Sequence, residues 1–64
     1  MRRFVGDGGV TLLNVPHEML GIPLTAVDAG REVELLEVQE PWAKVRTAWG
    51  EEGWVSAKDL RTAG

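Results

Sequence analysis

The chain has 64 residues, a formal net charge of −3 and no cysteine, which leaves room for one domain at most and excludes a disulfide framework and a thiolate metal site within it. Proteins that grip a phosphate backbone use clustered lysine and arginine, whereas the seven basic residues here are scattered along the chain. Nucleic acid is therefore a disfavoured partner. No apolar run approaches the ~20 residues of a membrane-spanning helix, so we expect no membrane segment.

The first nine residues are predicted to form a flexible N-terminal segment ahead of a single domain at residues 10–62. Arg2 and Arg3 resemble the start of a secretory signal, but Gly6-Asp7-Gly8-Gly9 follows them in place of a hydrophobic stretch. This favours a cytoplasmic location if the chain is complete. A location at the cell wall or outside the cell is expected if the chain was cut from a larger exported protein.

The next segment is predicted to be a strand followed by a long loop. Residues 10–15 are rich in β-forming side chains and end at Pro16. Two prolines and two glycines interrupt residues 16–30, which disfavours a helix there. We expect a loop with a short strand near residues 24–27.

The C-terminal half alternates apolar and polar residues, as half-buried strands do. The alternation in residues 31–38 slips at Leu35-Leu36, which predicts a β-bulge. A hairpin turn is expected at residues 50–53. The further predictions are strands at 42–47 and 54–56, one 3₁₀ turn at 57–59 and a closing strand at 60–62. The fold class is therefore all-β, a small barrel of about five strands.

All three tryptophans lie between residues 42 and 54. Trp42 shares a strand face with two basic residues, which favours contact with solvent; the alternative is that its ring packs beneath the long loop. Trp54 precedes Val55, and we expect Val55 inside the barrel and Trp54 at least partly exposed. Trp49, beside the turn, is expected to cap one end of the barrel.

The long loop carries an unusually apolar stretch from Met19 to Leu24. It either forms a lid on the small core or presents a contact patch to a partner. His17 is the only histidine, and a structural zinc ion needs about four ligands, so no metal or other cofactor is expected. We also expect no catalysis, because nothing places His17 beside Ser56, the only serine.

Several segments carry a familiar pattern. Residues 30–36 read GREVELL, residues 42–46 read WAKVR, residues 53–56 read GWVS and Leu60 follows, while Leu13-Asn14-Val15 lies upstream. In this order they resemble the bacterial Src-homology-3 (SH3) domain. The resemblance implies a five-stranded SH3-like barrel of two orthogonally packed sheets and a non-enzymatic binding role. Such modules often accompany cell-wall hydrolases and phage lysins, in which they bind wall peptides.

The expected function is a protein- or peptide-binding module that acts as an adaptor, an inhibitor or an assembly subunit. The alternative is a domain that targets a hydrolase or phage lysin to wall peptides, and a nucleic-acid-binding barrel is a third possibility. The side chains expected to contact the partner are Trp42, Trp54, His17, Met19, Leu20 and Ile22.

Overall fold

The computed structural model describes residues 1–62 and is all-β, as predicted. Seven antiparallel strands form one continuous hydrogen-bonded sheet in the order β3-β2-β6-β5-β4-β1-β7. The predicted 3₁₀ turn is present between β6 and β7. The elements are β1 (Arg2–Val5), β2 (Val10–Leu13), β3 (Pro23–Val27), β4 (Glu32–Gln39), β5 (Trp42–Arg46), β6 (Glu52–Ser56), the 3₁₀ turn (Ala57–Asp59) and β7 (Leu60–Arg61).

The first strand differs from the flexible segment that the sequence suggested. β1 pairs with β4 through Arg3 and Val33 and with β7 through Phe4 and Arg61. Val5 is buried in the core. Four residues are too few to show a period-two pattern. The prediction of a flexible segment therefore rested on the glycine run that follows. That run does form a turn: Gly8 and Gly9 have φ angles of +94° and +73°, which glycine adopts without strain.

The core contains one or two side chains from each of the first six strands. Alternation along each strand directs every second residue inward, and valine dominates these positions because β-branched side chains are favoured in strands. Leu35, Ala57 and Leu60 pack against the edge of this cluster. The buried residues are Val5, Val10, Leu12, Val27, Val33, Ala43, Val45 and Val55.

The predicted β-bulge lies in β4. Leu35 pairs with Val45 and Glu37 pairs with Lys44, so Leu36 has no cross-strand partner. Leu35 faces the core and Leu36 faces solvent. Beyond the bulge all residues of β4 are exposed, so the part of β4 that contributes to the core ends at Leu35.

β2 and β6 lie close together, and their pairing continues the sheet around the core. The two strands pair at Leu13 and Trp54. A Cβ on Gly53 would lie 2.7 Å from the Cβ of Leu12, a distance that real contacts do not reach. Glycine at position 53 is therefore a requirement of the packing in this fold.

The loop between β2 and β3 folds back onto β2. Its base is closed by Asn14, whose backbone N–H donates to the carbonyl of Ile22 at 3.1 Å and whose Oδ1 accepts from the Ile22 N–H at 2.8 Å. A Cβ on Gly21 would lie 2.8 Å from Cδ1 of Leu13. The loop thus packs beside the outer face of the sheet.

Candidate functional site

Trp42 begins β5 and lies on the face of the sheet opposite the core. Its cross-strand neighbours are Gln39 on β4 and Ser56 on β6. Ala43 and Val55, the next pair along the same two strands, are buried in the core. The indole of Trp42 is itself half-buried, so it is held in place and still offers surface to a ligand.

Two depressions meet at Trp42. The larger, of about 420 Å³, is bounded by the β4–β5 turn and the 3₁₀ turn, and the smaller, of about 340 Å³, is bounded by the β2–β3 loop. Trp42 and Glu18 line both, and we call the two together the Trp42 groove. The remaining lining residues are Glu40, Pro41, Ser56, Ala57 and Lys58 in the larger depression and Pro16, His17 and Met19 in the smaller one.

Backbone hydrogen bonds fix the walls of the Trp42 groove. The N–H of Ala57 donates to the carbonyl of Pro41 at 2.9 Å, which ties the 3₁₀ turn to the β4–β5 turn. On the loop side, Nδ1 of His17 accepts from the N–H groups of Met19 at 3.2 Å and Leu20 at 3.0 Å. His17 therefore shapes the loop, in the way an N-cap side chain shapes the first turn of a helix.

The charged side chains of this face form two groups. Near β6, Arg46 contacts Glu34 at 2.9 Å and Glu52 at 3.6 Å, and Lys44 contacts Glu52 at 3.9 Å. The second group consists of the charged side chains that line the Trp42 groove. Within residues 1–62, the side chains of Glu18, Glu40 and Lys58 form no ion pair.

The structure brings together three of the six residues that the sequence assigned to partner binding. His17 and Met19 line the smaller depression together with Trp42. Leu20 and Ile22 are exposed, at 70% and 61%, but they line neither depression. They belong to the apolar loop and lie outside the groove.

The expected exposure of Trp54 is wrong: this side chain is only 8% exposed. Val55 is inside the barrel, as predicted, and Trp54 points to the opposite face. That face is not open at position 54, because β6 lies between two strands and Trp54 is flanked by Leu13 and Lys44. A buried indole offers little surface to a ligand.

The prediction for Trp49 is also wrong. Its side chain is 54% exposed and does not cap the barrel. It lies in the turn between β5 and β6, where the N–H of Thr47 donates to the carbonyl of Glu51 at 2.8 Å and the N–H of Gly50 donates to the carbonyl of Thr47 at 3.0 Å. This turn is at the far end of β5 from Trp42, so the two indoles do not form one surface.

Sequence reasoning missed most of the larger depression. The sequence signal that could have revealed it is the register of the β5–β6 hairpin. In that register Trp42 pairs with Ser56, and the 3₁₀ turn follows Ser56 directly. The turn expected at residues 50–53 is too close to the C-terminus to allow that pairing, because the structure has β6 beginning at Glu52. The missed lining residues are Pro16, Glu18, Glu40, Pro41, Ser56, Ala57 and Lys58.

The part of the chain that the structure describes contains neither a metal-binding cluster nor a membrane-spanning helix. Among residues 1–62, no group of three or more histidine, aspartate or glutamate side chains could hold a metal ion. The same residues contain no helix with the length and apolar character needed to cross a bilayer.

Comparison with known proteins gives one match. A family model described as the bacterial SH3 domain matches residues 23–61, more than half of the chain. The matched segment contains β3 to β7 and the whole larger depression except Glu18. No curated protein and no solved structure matches the chain.

Proposed function

Because the chain belongs to the bacterial SH3 domain family, we propose that it is a non-enzymatic module that binds a peptide segment of a protein partner in the Trp42 groove. The family supports a binding role in general. The position of Trp42 supports the Trp42 groove as the place where the peptide binds. An adaptor, an inhibitor and an assembly subunit are all roles that such a module serves.

The observation that carries this proposal is that one half-buried indole is shared by two depressions. A tryptophan fixed by its own strand offers a large rigid contact area at low entropic cost. An extended peptide crossing Trp42 would place one side chain in the depression on each side. Each depression is of a size that accepts a side chain or a short segment.

The arrangement of the groove supports binding over chemistry. Ser56 and His17 line different depressions, on opposite sides of Trp42. Nδ1 of His17 is already an acceptor for two backbone N–H groups. A serine nucleophile needs a base within hydrogen-bond reach and a third group to orient that base, and among residues 1–62 no side chain forms a hydrogen bond with Ser56.

The second candidate is targeting to peptides of the bacterial cell wall, and family membership favours it. A wall peptide is also an extended chain, so the same groove would serve. The two candidates differ in the location of the protein: an exported parent protein for wall targeting, and the cytoplasm for an intracellular partner.

The test of the groove uses Trp42→Ala with Trp49→Ala as the matched control, since both side chains reach the surface. The immobilised domain is used to select from a phage-displayed library of random heptapeptides. We expect selected peptides to bind the wild type and Trp49→Ala equally and to bind Trp42→Ala at least about tenfold more weakly, as for a central aromatic contact. Equal binding to a folded Trp42→Ala variant would overturn the groove assignment.

A second experiment separates the two candidates. The domain is incubated with purified bacterial cell walls and, in parallel, with clarified lysate. Retention on walls that Trp42→Ala abolishes would support wall targeting. Absence of enrichment on walls, together with a lysate partner lost in Trp42→Ala, would support an intracellular protein partner and exclude wall targeting.

A further inference from the structure

The β2–β3 hairpin carries a concentration of exposed apolar side chains that the Trp42 groove does not use. Five of the nine large apolar side chains that are exposed within residues 1–62 lie between positions 15 and 24. Leu20, Ile22 and Leu24 are three of them, and they line neither depression of the groove. Apolar surface gathered in one place is typical of a site of association.

The same segment forms the outer edge of the sheet. β3 is the last strand in the sheet order and, within residues 1–62, pairs with β2 alone. Its other side therefore presents backbone N–H and carbonyl groups to a strand from another chain. Pro23, the first residue of β3, has no N–H to donate, so the edge available for pairing consists of residues 24–27.

This edge differs from the other edges of the sheet in having no charge. Residues 19–27 contain no charged side chain, although 27% of the residues in the chain are charged. Native edge strands are commonly protected from association by charged side chains. The outer edge of β7 carries Arg61, and the part of β4 beyond its pairing with β1 carries Glu37. The edge of β3 lacks this protection.

The segment that leads into β3 is held in place by the domain itself. Ile22 is tied to Asn14 by two hydrogen bonds. The N–H of Gly21 donates to the carbonyl of His17 at 2.7 Å, and Gly21 lies against the side chain of Leu13. A surface that is ordered before association loses less conformational entropy when a partner binds.

We propose that residues 20–27, which we call the β3 edge, form the interface of a homodimer in which β3 of one copy pairs antiparallel with β3 of a second copy. In a two-fold contact each residue of a segment faces a residue of the same segment. No register of the β3 edge against itself brings like charges together. The same pairing at β7 or β4 would place Arg61 or Glu37 of both copies at the contact, where like charges destabilise a strand pair.

The size and charge of the contact predict how strong the dimer is. Four paired residues and three apolar side chains form a contact smaller than the standard interface, so we expect a reversible dimer with a Kd between about 10 μM and about 1 mM. Each copy has a net charge of −3, so the two copies repel each other outside the uncharged contact. Added salt screens that repulsion and should therefore tighten the dimer.

The test measures the mass of the domain in solution by sedimentation equilibrium, over a dilution series from about 2 mM to about 10 μM. We expect the average mass to rise with concentration from that of a monomer towards twice that value, and to rise further when salt is added. Amide resonances of the ¹⁵N-labelled domain are recorded over the same series. Those of residues 24–27 should shift with concentration, while those of residues 36–39 and of β7 should not.

The variants are Leu24→Lys and Leu20→Lys, with Val38→Lys as the matched control. Val38 is an exposed apolar residue of β4, and all three substitutions change the net charge by the same amount. A lysine in the β3 edge faces the same segment of the second copy, so we expect both test variants to weaken dimerisation at least about tenfold. Val38→Lys should leave the Kd within about twofold of the wild-type value.

Each outcome decides for or against the dimer. A monomer at every concentration would overturn the proposal. Equal weakening by Val38→Lys and Leu20→Lys would place the contact elsewhere and also overturn it, as would a dimer that dissociates when salt is added. Leu20 lies in the loop before β3, so Leu20→Lys decides the question if Leu24→Lys does not fold. Peptide binding by Trp42→Ala tests a different surface, so the proposed function stands or fails separately.

Discussion

At the scale of single residues, the three tryptophans show how position in the sheet decides the role of a side chain. They share one short stretch of sequence, yet Trp54 is 8% exposed, Trp49 is 54% exposed and Trp42 is half-buried. Trp54 lies on a central strand between two neighbours. Trp49 lies in a turn, and Trp42 begins a strand beside a groove. The last position is the one that we propose as the ligand contact.

The first prediction concerns stability. Trp54→Ala should lower the free energy of unfolding by about 3 kcal/mol, because it removes a large buried side chain. Trp49→Ala should change it by less than about 1 kcal/mol, since that indole is half in solvent. Denaturation with guanidinium followed by circular dichroism measures both. A larger loss for Trp49→Ala than for Trp54→Ala would contradict the burial described here.

The second prediction concerns His17 and the β2–β3 loop. His17→Ala removes the acceptor for the N–H groups of Met19 and Leu20, and we expect a loss of about 1 kcal/mol, as for a lost N-cap. Amide hydrogen exchange at those two residues should accelerate. His17→Asn, whose Oδ1 can take the same bonds, should restore most of the protection. Wild-type exchange rates at Met19 and Leu20 in His17→Ala would show that the imidazole does not shape the loop.

At the scale of secondary-structure elements, the bulge in β4 gives two neighbouring leucines opposite environments. Leu35 packs against the core and Leu36 has no cross-strand partner and faces solvent. The slip in the sequence pattern was sufficient to predict the bulge, because a one-residue shift is visible in an eight-residue strand.

The third prediction follows from that difference. Leu35→Ala should lower the free energy of unfolding by about 2 kcal/mol, because it leaves a void at the edge of the core. Leu36→Ala, the matched control, should change it by less than about 0.5 kcal/mol. The measurement is the midpoint of urea denaturation. Similar losses at both positions would mean that β4 is not bulged at Leu36.

Two elements show what sequence pattern does not reveal. β1 is short and precedes a run of glycines, so its four residues carry no readable period, and its pairing with β4 and β7 is a long-range contact. The β2–β3 loop is irregular, and its path depends on single contacts such as Asn14 with Ile22. Local patterns in one sequence contain neither kind of information.

At the scale of the whole molecule, the sequence predicted the fold class but only part of the Trp42 groove. The all-β fold and the 3₁₀ turn follow from alternation and turn residues. The groove forms where a loop, a hairpin turn and the 3₁₀ turn converge. That convergence depends on how the strands pair along the whole sheet, which is why Glu40 and Lys58 were not predicted.

The fourth prediction tests whether β1 is part of the folded unit. Val5→Ala should lower the free energy of unfolding by about 2 kcal/mol, because Val5 is in the core and joins β1 to it. Val38→Ala, at a position 52% exposed, is the control and should be close to neutral. Thermal unfolding gives both values. A neutral Val5→Ala would indicate that β1 is dispensable.

The central claim is that Trp42, alone among the three tryptophans, contacts the ligand. Its most direct test is a titration of the ¹⁵N-labelled domain with a library-selected peptide, in which the three indole Nε1–H resonances are followed separately after assignment with single Trp→Phe variants. We expect a saturable shift of the Trp42 resonance and no comparable shift of the Trp49 or Trp54 resonance. A saturable shift confined to Trp49, with Trp42 unchanged, would contradict it.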